Sequence, residues 1–140
     1  MWKNTQWFDP ETARAVGNYR TVALSHNGQV VAHRSNPITA ESVQATLTLT
    51  DLASGKTLGQ WNKYSFYSSV AFSPNDTLVA ARKAGEGIFS PAPIILWDVQ
   101  SGKMTDLDVS GEIKSIAFSP DGRFLAIGGS GEIALWGIKP

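Results

Sequence analysis

One hairpin-like stretch occurs three times in this chain, and this repetition constrains the fold more than any other feature of the sequence. The copies read TVALSHNGQVVA from Thr21, SVAFSPNDTLVA from Ser69 and SIAFSPDGRFLA from Ser115. Val22, Val70 and Ile116 occupy the same place in the three copies, so the unit recurs after 48 and 46 residues. A fixed period in this range is typical of proteins built from stacked structural repeats.

Each copy predicts antiparallel strands joined by tight connections. The first and second strands flank the turns SHNG, SPND and SPDG, whose Asn, Asp and Gly residues accept the backbone angles of hairpin turns. A third strand follows in each copy: ATLTLTDL, IILWDV (94–99) and IALWGI (133–138). The turns ASGK and QSGK then lead to a fourth strand in the first two copies, TLGQW and MTDLDV. No segment has a convincing helical periodicity.

A four-stranded unit at this spacing, with Trp97-Asp98 near the end of a third strand, resembles the WD-repeat β-propeller family. The segments that carry the resemblance are AFSPDGRFLAIGG followed by IALW, and AFSPNDTLVAA followed by IILWDVQSGK. The resemblance covers about Phe8 to Ile138 and implies an all-β fold of about three blades, a half or partial propeller. The Gly-His pair of the family is missing from all three units. We therefore expect apolar contacts, rather than the buried His–Asp network of the family, to hold the blades together.

The ends of the chain are expected to complement each other. FDPETARAV (8–16) aligns with WDVQSGKMT (97–105), so we expect residues 1–18 to be a partial blade that donates a fourth strand to a last blade. The expected blades are 19–64, 65–110 and 111–140, the last without its outer strand. Closed propellers have about four to eight blades. Either two copies complete a six-bladed ring, which the complementary ends favour, or the chain is a fragment of a longer propeller.

Composition narrows the class of partner. Lys and Arg together number 12, as do Asp and Glu, so the net charge is zero and predicts neither nucleic-acid nor membrane binding. Cysteine is absent, which fits a reducing compartment. The sequence contains no apolar run long enough for a membrane span, so we expect a cytoplasmic protein.

The histidines and serines that could in principle act in catalysis are better explained as structural residues of strands and turns. His26 takes the place of Pro74 and Pro120, so we expect a turn residue rather than a ligand, and His33 has no second ligand at metal spacing. A serine recurs at each hairpin entry without the His and Asp partners of a catalytic triad. The sequence thus predicts no enzyme activity, no metal and no cofactor.

The long connections point to a binding surface. HRSNPITAES (33–42) and RKAGEGIFSPAP (82–93) both join strands two and three, and in a blade this end also carries the interblade segment NKYSFYS (62–68). Tyr and Arg are the residue types that anchor protein interfaces. The predicted partner-binding residues are Arg34, Tyr64, Tyr67, Arg82, Lys83 and Phe89. Alternatively, the aromatic residues fill the gap between blades, and Arg82 and Lys83 lie in a solvated loop.

Together these observations predict a non-catalytic scaffold for protein–protein interaction that completes its ring as a homodimer. Rigid blades would hold the binding loops at fixed separations, so that little entropy is lost when a protein partner docks. Two alternatives stay open. One is a natural or designed self-assembling half-propeller with no other partner. The other is a fragment of a larger propeller-containing regulatory protein or enzyme.

Overall fold

The chain forms three antiparallel sheets, seen in a computed structural model that describes residues 22–34, 44–65, 70–82, 93–109, 111, 113–129 and 131–139. Sheet 1 consists of β1 (Val22–Leu24), β2 (Val30–Arg34), β3 (Gln44–Asp51) and β4 (Thr57–Ser65). Sheet 2 consists of β5 (Val70–Phe72), β6 (Leu78–Arg82), β7 (Ile94–Asp98) and β8 (Met104–Leu107). Sheet 3 consists of β9 (Ile113–Phe118), β10 (Phe124–Gly129) and β11 (Ile133–Gly137). Consecutive strands pair in every sheet, and the described residues include no helix, which confirms the predicted all-β class.

Three strands run further than the sequence predicts. Arg34 pairs with Leu47, and Tyr64 pairs with Ala45, so β2 and β4 continue into the predicted connections. In sheet 2, Arg82 pairs with Ile94 and is the last residue of β6. The boundaries placed before these residues were wrong because the backbone ladder continues after the repeated sequence pattern stops. The predicted partial blade at residues 1–18 lies outside the described residues.

The sheets stack through alternating side chains. In β6, Val79 and Ala81 pack with Ala32, Leu47 and Leu49 of sheet 1. Between them along the strand, Ala80 packs on the other side, with the core of sheet 3. Successive side chains of a strand point to opposite faces, so sheet 2 is apolar on both faces and lies between the other two sheets.

We call the two sides of each sheet its front and rear faces. The front face of sheet 2 packs against sheet 1 and carries Phe72, Val79, Ala81, Ile95 and Trp97. The rear face of sheet 2 packs against sheet 3 and carries Ala71, Ala80, Ile94, Leu96 and Leu107. The front face of sheet 3 packs against this rear face and carries Ile116, Leu125, Ile127, Ala134 and Trp136.

A close approach of two sheets is centred on Trp97. Its indole is 4% exposed and lies on the backbone of Gly59 in β4. A Cβ atom added to Gly59 would meet Trp97 Cζ2 and lie 2.8 Å from Trp97 Cη2. A side chain at position 59 would therefore collide with the indole of Trp97, which belongs to the core between sheets 1 and 2.

Strand β3 is buried on both sides. Its alternation of Thr with apolar residues predicts a half-buried strand, but Thr46, Thr48 and Thr50 are buried like Leu47 and Leu49. The buried hydroxyls have hydrogen-bonding neighbours, as burial of polar groups requires. His33 Nε2 lies 2.9 Å from Thr50 Oγ1, and Thr46 Oγ1 donates to Asn62 Oδ1 at 3.2 Å. The front face of sheet 1 thus combines buried Thr48, Thr50 and Val31 with the exposed Leu24.

Candidate protein-interaction surface

The residues predicted to bind a partner are only partly within the described structure. Arg34 and Tyr64 have their backbones at the same end of sheet 1, and Arg82 lies at the corresponding end of sheet 2. We call this the loop end, because strands two and three are connected there. The remaining three, Tyr67, Lys83 and Phe89, lie outside the described residues. Partner binding by this set stays a prediction.

Arg82 lies in a strand, so the alternative that it occupies a solvated loop does not hold. The residue is 8% exposed, and its Nε is buried with no hydrogen-bond partner among the residues that the structure describes. The physical reason is the continued pairing with Ile94, which holds Arg82 in the strand. A buried donor without a partner is costly, so Arg82 Nε lowers the stability of this end of sheet 2, and partner binding by Arg82 stays a prediction.

The opposite end of the sheets, the turn end, carries the repeated hairpin turns. In each turn a serine hydroxyl accepts a hydrogen bond from the residue that begins the return strand. The backbone N–H groups of Val30, Leu78 and Phe124 donate to the hydroxyls of Ser25, Ser73 and Ser119 at 2.9, 2.9 and 3.0 Å, respectively. Each hydroxyl in turn donates to the side chain two residues later: Asn27, Asn75 or Asp121. The predicted structural role of these serines is confirmed.

The aspartate after the third strand closes the next turn. Asp51 accepts hydrogen bonds from the backbone N–H and the hydroxyl of Ser54, at 2.8 and 2.7 Å. Asp98 accepts from the N–H groups of Ser101 and Gln100. The Ser54 and Ser101 bonds lower the pKa of Asp51 and Asp98, respectively, because they stabilise the ionised carboxylates. The Asp of the Trp-Asp pair therefore orders a turn and is not a free catalytic group.

A carboxylate joins the turns of sheets 1 and 2. Asp76 Oδ1 accepts from the backbone N–H of His26 at 2.7 Å and lies 3.0 Å from His26 Nδ1. Asp76 Oδ2 accepts from the N–H of Asn27 at 2.9 Å. Burial raises the pKa of Asp76, but these hydrogen bonds and the His26 ring lower it overall. The contact is a clamp between two sheets that the turn pattern alone did not predict.

One irregularity in the repeat marks this clamp. Asp76 stands where the other turns have Gly28 and Gly122, and it has a positive φ of 59°, which is unfavourable for a residue with a side chain. At the next interface Gly122 lies close to Pro74, which has no N–H to offer a carboxylate. The same contact between neighbouring turns is therefore made in two ways: by Asp76 with His26 between sheets 1 and 2, and by Gly122 with Pro74 between sheets 2 and 3.

Sheet 3 leaves an apolar face uncovered. Its rear face carries Ala117, Phe124, Ala126, Ile133 and Leu135, as the strand register and alternation require. Ile133 is 82% exposed and Leu135 is 65% exposed. The matching residue to Ile133 in sheet 2, Ile94, is completely buried by sheet 3. Large apolar residues clustered on a surface are typical of an interaction site.

Polar residues border this face at the turn end. An open groove of about 820 Å³ runs between the turns of sheets 2 and 3, and its wall includes Asn75, Asp121, Arg123 and Lys139. The guanidinium carbon of Arg123 lies 5.9 Å from the centre of the Phe124 ring, within the range of a cation–π contact. An apolar patch with charged groups at its border is suited to bind a protein surface.

No group of three or more His, Asp or Glu side chains within the described part of the chain is placed to hold a metal ion. The same residues include no helix long and apolar enough to cross a lipid bilayer.

Comparison with known proteins identifies the repeat and the fold. The family model "WD domain, G-beta repeat" matches residues 104–137, which run from the first residue of β8 to the last residue of β11. The matched unit thus combines the outer strand of one sheet with the three strands of the next. No curated protein matches the sequence significantly.

Three solved structures similar to this chain, one of them named a β-propeller domain, show its fold. The β-propeller domain of the trilobed protease from Pyrococcus furiosus has a TM-score of 0.67 at 17% identity and matches 85% of this chain and 38% of its own. Hydrazine synthase from Kuenenia stuttgartiensis has a TM-score of 0.62 at 18% identity, over 84% of this chain and 39% of its own. TolB from Acinetobacter baumannii has a TM-score of 0.62 at 17% identity, over 85% of this chain and 29% of its own. This chain therefore spans well under half the length of these structures, and the likeness shows the fold.

The family match and the fold agree with the resemblance seen in the sequence. Residues 104–137 match the WD-repeat model, and the three sheets have the fold of β-propeller blades.

Proposed function

We propose that this chain is a non-catalytic propeller scaffold that binds protein partners and also associates with itself. The observation that carries the proposal is the exposed apolar rear face of sheet 3, with Ile133 and Leu135 at its centre. Stacked sheets present such a surface at fixed geometry, so docking costs little conformational entropy. The role is that of a rigid support for binding surfaces.

The polar groups of the turns support a structural rather than a chemical role. Each repeated serine is committed to a hydrogen bond with the backbone of its own turn. Asp51 and Asp98 accept hydrogen bonds within their turns, and Asp76 accepts from the neighbouring sheet. Side chains held in this way stabilise the scaffold and are poorly placed to act on a substrate.

A second surface for a protein partner lies at the loop end. The residues predicted for it, Arg34, Tyr64, Tyr67, Lys83 and Phe89, combine cationic and aromatic residue types in the sequence. These residue types contribute strongly to protein interfaces. Arg82 belongs to the same set by sequence, and its buried position gives it the role of supporting this end.

Partner binding at the loop end is tested by charge reversal. Tagged full-length chain is compared with the variant Arg34→Glu/Lys83→Glu in quantitative affinity purification. The matched control is Lys56→Glu/Lys103→Glu, which changes the same number of charges in exposed turns at the opposite end. We expect a set of proteins to be lost only from the loop-end variant while its thermal unfolding is unchanged. Equal recovery with all three chains would contradict the proposal.

A second candidate is a part of a larger propeller-containing protein, including an enzyme. This candidate is favoured because the chain matches only 39% of the length of hydrazine synthase and 38% of the length of the trilobed protease propeller. In that case the rear face of sheet 3 would be covered by a further blade, and the chain alone would aggregate rather than form a defined complex.

A further inference from the structure

We propose that the groove between the turns of sheets 2 and 3 binds an acidic segment of a protein partner, through a carboxylate placed as Asp76 is placed at the neighbouring interface. The inference rests on the proposed scaffold role and adds a site at the turn end whose partner class is stated. Three observations carry it: the way the chain binds its own Asp76, the donors that the equivalent turn leaves unpaired, and the charge of the groove.

The interface between sheets 1 and 2 shows how these turns hold a carboxylate. Asp76 Oδ1 lies 2.7 Å from the backbone N of His26, and Asp76 Oδ2 lies 2.9 Å from the backbone N of Asn27. The side chain of Asp76 is 12% exposed, so its carboxylate is held in the contact rather than in solvent. Two successive N–H groups of a turn thus form a carboxylate-binding position, and such charge-assisted hydrogen bonds are the stronger kind.

The equivalent turn of sheet 2 receives no carboxylate from sheet 3. Pro74 and Asn75 stand where sheet 1 has His26 and Asn27, and Gly122 stands where sheet 2 has Asp76. Proline has no N–H. Neither the backbone N–H of Asn75 nor its Nδ2 has a hydrogen-bond acceptor in the part of the chain that the structure describes. Asn75 lines the groove, so these donors are open to a ligand there.

Two side-chain acceptors in the wall of the groove are already used. Asn75 Oδ1 accepts hydrogen bonds from Ser73 Oγ and Thr77 Oγ1, each at 2.8 Å. Asp121 Oδ1 accepts from Ser119 Oγ at 2.6 Å. The groove therefore offers hydrogen-bond donors in preference to acceptors. A carboxylate only accepts hydrogen bonds, so its chemistry matches this wall, whereas an ammonium group only donates.

The charge of the groove favours the same ligand. The charged residues that line it are two cations, Arg123 and Lys139, and one carboxylate, Asp121, so its walls carry a net positive charge. Both cations are exposed, which makes their attraction for an acid modest and sensitive to salt. Leu78 and Ile138 supply apolar lining, and the volume of about 820 Å³ admits several residues of a peptide. A segment that alternates acidic and apolar residues matches both properties.

The chain can be made to supply the missing carboxylate itself. Gly122 has a φ of 70°, close to the 59° that Asp76 adopts, and an added Cβ would lie 3.7 Å from Pro74 Cδ, an ordinary contact. Gly122→Asp should therefore place a carboxylate at the N–H of Asn75 and compete with an acidic ligand. Gly28→Asp is the matched control, because Gly28 has the same turn position, a φ of 71° and no atom near its added Cβ.

The site is tested by fluorescence anisotropy of the full chain with a short labelled peptide of alternating leucine and aspartate. At low ionic strength this peptide should bind at least about tenfold more tightly than its leucine and asparagine counterpart, and salt should reduce the difference. Arg123→Glu/Lys139→Glu should weaken binding at least about tenfold. The control Lys56→Glu/Lys103→Glu changes exposed turn lysines outside the groove and should bind as the wild type does.

The two glycine variants give an independent measurement. Gly122→Asp should also weaken the acidic peptide at least about tenfold, while Gly28→Asp leaves it unchanged. Equal binding of the two peptides, no effect of Arg123→Glu/Lys139→Glu, or equal affinities for the two glycine variants would each overturn the proposal. Self-association that light scattering shows to be lost in Arg123→Glu/Lys139→Glu would also overturn it, because the occupant would then be a second copy.

Failure of this site and failure of the proposed scaffold role have different signatures. The loop-end variant Arg34→Glu/Lys83→Glu should bind the acidic peptide as the wild type does, because its changes lie at the other end of the sheets. If that variant loses protein partners while no chain distinguishes the two peptides, the scaffold role stands and the groove proposal is wrong.

Discussion

The contact between Gly59 and Trp97 gives the sharpest test of how the sheets stack. Replacing Gly59 by alanine adds a Cβ atom that would overlap Trp97 Cζ2 and approach Cη2 to 2.8 Å. Overpacking of this kind typically costs about 1–3 kcal/mol, since the buried indole must move. Replacing a strand glycine by alanine stabilises the folded state by about 0.5–1 kcal/mol, because alanine loses less backbone entropy on folding. We therefore expect Gly59→Ala to lower the free energy of unfolding by about 1–2 kcal/mol.

The assay is urea unfolding followed by far-UV circular dichroism, which does not depend on the tryptophan under study. In a Trp97→Phe chain the two indole atoms that meet Gly59 are absent, so Gly59→Ala should become neutral or slightly stabilising. The difference between the two backgrounds is the coupling energy, about 2 kcal/mol in this case. Gly137→Ala is the matched control, because Gly137 is a strand glycine with no atom near its added Cβ. An equal loss from Gly59→Ala in both backgrounds would refute the contact and the stacking inferred from it.

Two further perturbations follow from polar groups at the two ends of the sheets. Asp76→Asn should lower stability at pH 7 by about 1 kcal/mol through weaker charge-assisted hydrogen bonds to His26 and Asn27. The folded-state pKa of Asp76 is lowered, so this contribution to stability is present above about pH 3.9 and is lost as the pH falls through the folded pKa. The stabilities of the wild type and the variant should therefore converge in acid. A difference in stability that does not change with pH would contradict the clamp. Arg82→Met should be neutral or stabilising, because it removes a buried donor that has no partner among the described residues, whereas Arg82→Glu should destabilise strongly. If thermal unfolding shows the opposite order, Arg82 is solvated in solution.

The sheets could be predicted because they follow from a repeated local pattern. Alternating residues and turn signals define each hairpin, and matching Val22, Val70 and Ile116 sets the register of one unit against the next. The third strand predicted at IILWDV is β7 in the structure, and its Trp97 packs on Gly59 of the neighbouring sheet. A local pattern that occurs three times gives three independent observations of the same structure.

The interfaces between sheets were harder to predict, because they depend on residues that are distant in sequence. Asp76 is unusual among the three turns, but only the structure shows that His26 and Asn27 supply its hydrogen-bond donors. The sequence predicts Arg82 to be a partner-binding residue or part of a solvated loop, whereas its side chain is buried because the β6–β7 ladder continues to it. The signal for the clamp was present in the sequence as the one turn with Asp in place of Gly.

The candidate surface was only partly foreseen. The sequence favoured the loop end because of its long connections. It did not distinguish the two end faces, since the threonines of β3 look like the solvent side of a half-buried strand. Those threonines are buried in the structure, whereas Leu135 on the rear face of sheet 3 is exposed.

The central claim is that sheet 2 is packed on both faces between two similar sheets. Methyl-resolved nuclear Overhauser spectroscopy of the full chain tests it directly, because Val79 and Ala80 are adjacent in sequence and belong to different cores. The account predicts contacts from the methyls of Val79 to Leu47 or Leu49 of sheet 1, and from the methyl of Ala80 to Leu125 or Ile127 of sheet 3. Contacts from both residues to the same sheet would contradict it.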